Sequence, residues 1–287
     1  MAYQSIEVRK LTPTIGAEIF GVDLGKPLGN QQFQEVHDAL MENLVIFFRD
    51  QKMTIDQHKD LGRRFGPLHV HPNAPIAIPE HPEILVIKAD EKSKRVAGEE
   101  WHTDVSCDLE PPMGSILYMT EVPPDGGGDT LFANMYRAFE TLSPGLQKTL
   151  EGMNAVHGSA HIFGKGGVND RNPEGKSRYG NQEMVGADVV HPVVISHPLS
   201  GRKALYVNPA FTLRFDGWSA EDSKPLLDHL YRHAARPEFT CRFRWREGSI
   251  AFWDNRATWH YAANDYQGER RLMHRITVSG CALSAAA

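Results

Sequence analysis

The chain breaks into many short apolar runs that do not alternate regularly with helical segments, and this pattern limits the fold more than any other. Strand-like runs fall at residues 44–48, 84–88, 115–122, 129–133, 189–196, 205–208, 239–245, 249–253 and 275–279. In the clearest of them Phe239, Cys241, Phe243 and Trp245 alternate with Thr240, Arg242 and Arg244. That period of two is expected where one face of a strand is buried. Helical spacing is confined to a few places. Phe33, Val36 and Leu40 share a face within residues 31–42. Thr54 and Gln57 form a capping pair ahead of a helix that stops at Gly66. Ser143 and Pro144 open a third helix with Leu146, Leu150 and Met153 as its stripe, and a fourth lies within residues 221–235. Helices near the N-terminus and in the middle, with strands filling the rest, favour a mainly β chain with flanking helices. A double-layered β barrel fits this order better than an alternating βαβ fold.

A length of 287 residues at 41% hydrophobic content suits one large domain, so residues 1–287 are read as a single unit. Residues 164–187 are polar, glycine-rich and aperiodic, and read equally as a lid or as a surface excursion. The net charge is −5 with no recurring basic block, which argues against nucleic acid as a partner. The longest apolar runs, such as residues 44–48, are far too short to span a bilayer, so no membrane association is expected. The opening MAYQSIEVRK has no apolar core of a signal peptide. Cys107, Cys241 and Cys281 are an odd, sparse set without metal-like spacing, as reduced thiols of a cytoplasmic protein would be.

The most informative tripeptide is His102-Thr103-Asp104. In an extended segment residues two apart share a face, so both side chains could reach one ion. A second, distant histidine would complete a two-histidine, one-carboxylate set, which leaves positions open on iron(II) for a co-substrate and O₂. His260, at the end of a Trp253-Asp254-Asn255-Arg256 run, is the best candidate. His-x-Asp alone is common by chance, and this chain has 14 histidines. His191 and His197, each followed by proline, read as strand-end residues, and His229 with His233 as a solvated helix face. Arg271 and Arg275 lie four apart at the entry to a strand, so their side chains point the same way. Two buried guanidinium forks beside a metal would suggest two anionic ligands. The plainer reading puts one or both at the rim in surface ion pairs, as is expected of Arg270.

Taken together, these residues resemble the taurine dioxygenase family of iron(II)/2-oxoglutarate oxygenases. The likeness runs from Ile15-Gly16-Ala17-Glu18 to Arg275. It rests on Arg64-Phe65-Gly66, Trp101 to Val105, Gly127-Gly128-Asp129-Thr130, Val207-Asn208, Trp253 to Arg256 and Arg271 to Arg275. It implies a double-stranded β-helix (jelly roll) in which His102, Asp104 and His260 bind Fe(II). It implies 2-oxoglutarate and O₂ as co-substrates, with the far carboxylate of 2-oxoglutarate on Arg271 and Thr130. His71, Val105, Phe163, Phe211 and Arg275 match the family's substrate pocket, Arg275 and a protonated His71 facing a sulfonate. The family's pocket tyrosine falls at Ala74 and its asparagine at Gly98, which removes bulk and hydrogen bonding from the amine end of a taurine pocket.

The resemblance therefore implies hydroxylation of a small anionic substrate, a sulfonate, next to its anionic group, with release of succinate and CO₂. Residues 151–154 and 239–242 also resemble phenoxyalkanoate dioxygenases, so a phenoxyalkanoate or alkylsulfate dioxygenase is the alternative within the enzyme class. Outside it stands a cupin-like metal-binding protein, against which Arg271 and Thr130 argue. A homo-oligomer is expected.

Overall fold

The computed structural model describes residues 3–71, 77–93, 98–171 and 185–286. Its largest sheet has eight strands, and at its centre Ile250–Asp254, Gly114–Glu121 and Arg271–Val278 lie side by side. Val45–Phe48 borders Ile250–Asp254, and Leu85–Ala89 pairs with Arg271–Val278 on its far side. A second sheet has Thr130–Asn134 between Thr240–Phe243 and Thr258–Ala262. The architecture is mainly β with flanking helices, as the short-run pattern implies, and is the jelly roll that the resemblance implies.

Period-two alternation explains why the central strands read as unbroken apolar runs. Val45 and Phe47 face a core shared with Phe132 and Phe243 of the second sheet, while Ile46 and Phe48 face Val36, Leu40 and Leu61 of the helices. Ala251 and Trp253 divide from Ile250 and Phe252 in the same way. A strand buried on both faces needs apolar residues at every position, and each such side chain contributes roughly 1.5–3 kcal/mol of transfer free energy.

The helices begin where capping chemistry places them. Thr54 Oγ1 accepts from the Gln57 amide at 3.2 Å while Gln57 Oε1 accepts from the Thr54 amide at 2.8 Å, opening Ile55–Arg63. Asn30–Asn43, Pro144–Glu151 and Ala220–Ala234 fall where the apolar spacing puts them. Ser143 takes the N-cap position without a side-chain bond, so Pro144 alone favours that start.

Three strand expectations are corrected. The run 189–196 is two strands, Val189–Pro192 and Val194–Ser196, with different neighbours. Pro192 has no N–H to continue a ladder. The strand expected at 205–208 is Lys203–Leu205. It ends because Asn208 Oδ1 accepts from the Phe211 amide at 2.9 Å and turns the chain. Phe239 belongs to a 3₁₀ turn opened by Pro237, and the strand starts at Thr240. The helix Met135–Glu140 and the strand Thr258–Ala262 were not foreseen. Of residues 164–187, Val168–Arg171 is a short helix and 172–184 lie outside the described residues, as does Ala74.

Candidate metal and co-substrate site

His102 and His260 are direct cross-strand partners. The His102 amide donates to the His260 carbonyl at 3.1 Å, the return bond is 2.8 Å, and the ring centroids lie 4.0 Å apart. This bridge sets two candidate ligands side by side, although they lie 158 positions apart in sequence. Past His102 the chain is not extended as expected, but turns. Thr103 Oγ1 donates to the Asn255 carbonyl, and Val105 takes a φ of +50°, a strained value for a β-branched residue. Ser106 holds the turn from beneath. Its oxygen accepts from Asn208 Nδ2 at 2.8 Å, which leaves its proton for His157 Nδ1 at 3.1 Å. The turn swings Asp104 back, so that one ligand atom each from His102, Asp104 and His260 lies within 4.8 Å of the others.

The charges are balanced locally. Asp104 Oδ1 lies 3.9 Å from His102 Nε2 and 3.8 Å from His260 Nε2, and accepts from Arg275 Nη1 at 2.8 Å. Asp104 Oδ2 accepts from Ser115 Oγ at 2.7 Å, and Ser115 in turn accepts from Asn255 Nδ2 at 3.2 Å. Trp253 Nε1 fixes that amide by donating to Asn255 Oδ1 at 2.8 Å. Burial pushes the Asp104 carboxyl up, but the charge of Arg275, with the hydrogen bond from Ser115, opposes it, and the group sits below the usual carboxylate range. Burial drives His102 and His260 down, keeping both rings neutral and able to donate a lone pair. His102 Nδ1 donates to the Glu100 carbonyl at 2.7 Å, which places its proton away from Asp104 and leaves Nε2 bare. A bare imidazole nitrogen on His102, a second neutral imidazole at His260 and one ionised carboxylate, close together in a buried site, are a donor set that fits iron(II).

The two sheets supply the next ring of groups. Thr130 pairs with Ala262, two residues beyond His260, so Thr130 and His260 share the inner face of the second sheet. Across from it Arg271, Met273 and Arg275 are buried at alternate positions of one strand. Arg271 is 3% exposed, yet among the described residues no carboxylate lies within ion-pair distance of it. Its Nη2 donates to the Gly128 carbonyl at 2.9 Å, and Tyr266 lies beneath the guanidinium. A buried guanidinium without a counter-ion is costly, and an incoming carboxylate would relieve that cost. Arg270 is exposed and paired with Glu121 at 2.8 Å, as expected.

The expected residues His71, Phe163 and Phe211 lie near one another. The rings of His71 and Phe163 are 6.1 Å apart at 87°, and those of Phe163 and Phe211 are 6.5 Å apart. Burial, then Arg275 and His69, push His71 down to about 4, so the ring is held towards its neutral form and the protonated His71 expected from the resemblance would need a bound anion to favour it. Gly98 has a φ of +86°, and a Cβ there would lie 3.1 Å from His102 Cε1. The other histidines have plainer surroundings. His191 bonds the Asp108 carbonyl, and His229 and His233 face each other on Ala220–Ala234. His197 joins the buried Asp254–Arg256 pair, which pins the turn leading to His260. Ser115 and Trp245 carry no signal of a site in sequence. Asn255 lies inside a run that the resemblance had flagged.

Comparison with known proteins gives a single direction. Residues 7–277 match the family described as taurine catabolism dioxygenase TauD, TfdA family. The chain is 38% identical to an alkylsulfatase of Acinetobacter baylyi over 96% of its own length and 86% of that protein's. It is 34% identical to an alpha-ketoglutarate-dependent sulfate ester dioxygenase of Pseudomonas putida, over 96% and 90% of the two chains. The crystal structure of a taurine dioxygenase from Burkholderia xenovorans superposes with a TM-score of 0.82 at 35% identity, covering 98% of this chain and 93% of that one.

Proposed function

Because the chain belongs to the TauD, TfdA family and is an iron(II)- and 2-oxoglutarate-dependent dioxygenase, we propose that its substrate is an organic sulfur oxyanion with an apolar tail. That class includes a sulfonate or an alkyl sulfate ester. The observation that carries the reading is Arg275. Its guanidinium is buried, with Nη1 on Asp104 and no described partner for Nε, and its charge reaches His71, whose ring meets Phe163 of the aromatic pair Phe163 and Phe211. A guanidinium fork matches a tetrahedral oxyanion, and the aromatic wall suits a hydrocarbon. The relatives named for alkyl sulfates and sulfate esters support the ester as much as the sulfonate.

In this reading His102, Asp104 and His260 hold Fe(II), which with 2-oxoglutarate and O₂ supplies the oxidising chemistry and releases succinate and CO₂. Arg271 and Thr130 fix the far carboxylate of 2-oxoglutarate, and so its length and direction. Arg275 holds the sulfur oxyanion and thereby presents the adjacent C–H. Neutral His71 can offer one N–H or one lone pair. Hydroxylation of that carbon gives a product that collapses to an aldehyde, with sulfite from a sulfonate or sulfate from an ester. Val105, Phe163 and Phe211 keep water from the reacting carbon. Gly98 presses its backbone against His102 where an asparagine side chain would crowd the ring, which leaves an ammonium without a partner there.

A single oxygenase domain, a homo-oligomer and a cytoplasmic setting belong to the same proposal. The continuous match over residues 7–277 supports the first and three free thiols the last. No described helix is long and apolar enough to cross a membrane. The test is kcat/KM for taurine, a longer alkylsulfonate, an alkyl sulfate and a phenoxyalkanoate at fixed 2-oxoglutarate. Each extra buried methylene should favour the longer substrate by about 0.8 kcal/mol. A preference for taurine over all three would return the protein to plain taurine oxidation, and a preference for the phenoxyalkanoate would remove the sulfur oxyanion.

A further inference from the structure

Thr130 and Arg271 are not equally prepared for a carboxylate. The guanidinium carries fixed donors, whereas a threonine hydroxyl rotates and sends its proton wherever an acceptor lies. Here that rotation is constrained. Trp245 Nε1 donates to Thr130 Oγ1 at 3.0 Å, with the two residues 2% and 3% exposed. An indole N–H can only donate, so Thr130 must accept, and its own proton must point elsewhere. Among the described residues no acceptor is placed for that proton. It belongs to a side chain on the same inner sheet face as His260.

The indole itself is held in place. Its ring meets Phe243 edge-on at 4.9 Å, Phe243 stacks on Phe47 at 3.9 Å, and the Arg49 guanidinium covers Phe243 at 4.0 Å. The apolar positions of the 239–245 run therefore do two jobs. Phe239, Cys241 and Phe243 are core, while Trp245 turns a polar atom towards the site.

We propose that Trp245 is a positioning residue for co-substrate binding, its indole N–H holding Thr130 so that the hydroxyl proton faces the far carboxylate of 2-oxoglutarate. The proposal rests on the reading of Thr130 and Arg271 as the anchor of that carboxylate. It is tested by calorimetric titration of 2-oxoglutarate into the Mn(II)-loaded protein, for wild type, Trp245→Phe, Thr130→Val, the double variant and Arg271→Lys. Trp245→Phe should weaken binding about two- to tenfold, the range of one uncharged hydrogen bond. Because Trp245 acts through Thr130, adding Trp245→Phe to Thr130→Val should cost nothing further. Losses that multiply in the double variant, or unchanged binding in folded Trp245→Phe, would overturn the proposal. If Arg271→Lys and Thr130→Val both leave binding unchanged, the anchor reading itself falls.

Should Trp245→Phe fail to fold, indole N–H resonances of the Zn(II)-loaded protein, which has 5 tryptophans, decide. One resonance must move both on Thr130→Val and when 2-oxoglutarate is added to wild type. If the line shifted by Thr130→Val stays still under saturating 2-oxoglutarate, Trp245 is only packing.

Discussion

At the metal end of the site each candidate ligand is tied to the sheets by hydrogen bonds, although only His260 lies within a strand. His102 and His260 are paired through their backbones, and Asp104 is held through both oxygens by Ser115 and Arg275 of the central sheet. At the substrate end, His71 follows a two-residue strand, Leu68–His69, and Phe163 closes a four-residue helix, Ala160–Phe163. The difference follows from what each end must do. A metal needs three atoms held to within a fraction of an ångström, which a strand ladder with hydrogen-bonded supports provides. An oxyanion with a variable tail needs one strong charge and a deformable wall, and short loop-borne elements suit that. The first end should therefore fail sharply when cut, and the second should yield by degrees.

The largest expected effect is at Asp104. Asp104→Ala removes the only anionic ligand and leaves Arg275 as a buried, unpaired guanidinium. Turnover should be lost to below about one part in a hundred of wild type, consistent with the loss of a primary ligand. Far-UV circular dichroism should stay close to wild type, because the ladder through His260 does not need the carboxylate. Retained turnover would show that the strand-fixed end is not the reaction centre. One bond further out, Ser115→Ala keeps every ligand but removes the donor to Asp104 Oδ2 and strands the Asn255 amide. Mn(II) affinity measured by titration should fall roughly tenfold or more, the usual cost of an outer partner of a metal ligand. An unchanged affinity would mean that Arg275 and the turn are enough to aim Asp104.

How much of this was legible in sequence divides along the same line. The mainly β layering could be read from the short apolar runs, and the helix at Ile55–Arg63 from Thr54 and Gln57, because those signals are local, while the jelly roll itself came from the resemblance. The meeting of His102, Asp104 and His260 was foreseen, but for a partly wrong local reason. Asp104 arrives through a turn strained at Val105, not along an extended strand. Spacing cannot show this, since Thr103 and Ser106 are tied to Asn255 and Asn208, more than a hundred residues away in sequence. Ser115 was invisible for a related reason. A serine in an apolar strand becomes a site residue only when Asp104 is folded onto it, and only the tertiary pairing decides that.

The smallest expected effect, an absence, sharpens the substrate end. The imidazole of His71 would contribute charge to anion binding only if it were protonated, and burial together with Arg275 pushes it down to about 4. A histidine with a depressed folded-state value stays neutral in the native protein while the unfolded chain, near 6.5, already takes up a proton. As far as His71 is concerned, stability should therefore be fully present above about pH 6.5 and decline as pH falls towards 4. For function, kcat/KM reports the free enzyme, where no anion is yet present to raise the value. The profile for an alkylsulfonate should thus show no acid-favoured limb from His71 between pH 5 and 8, and the His71→Asn profile should run parallel to wild type across that range. A limb near pH 6.5 in wild type that vanishes in His71→Asn would mean that His71 meets the substrate as an imidazolium. The anion would then be held by two charges, and the substrate end would be as tightly built as the metal end.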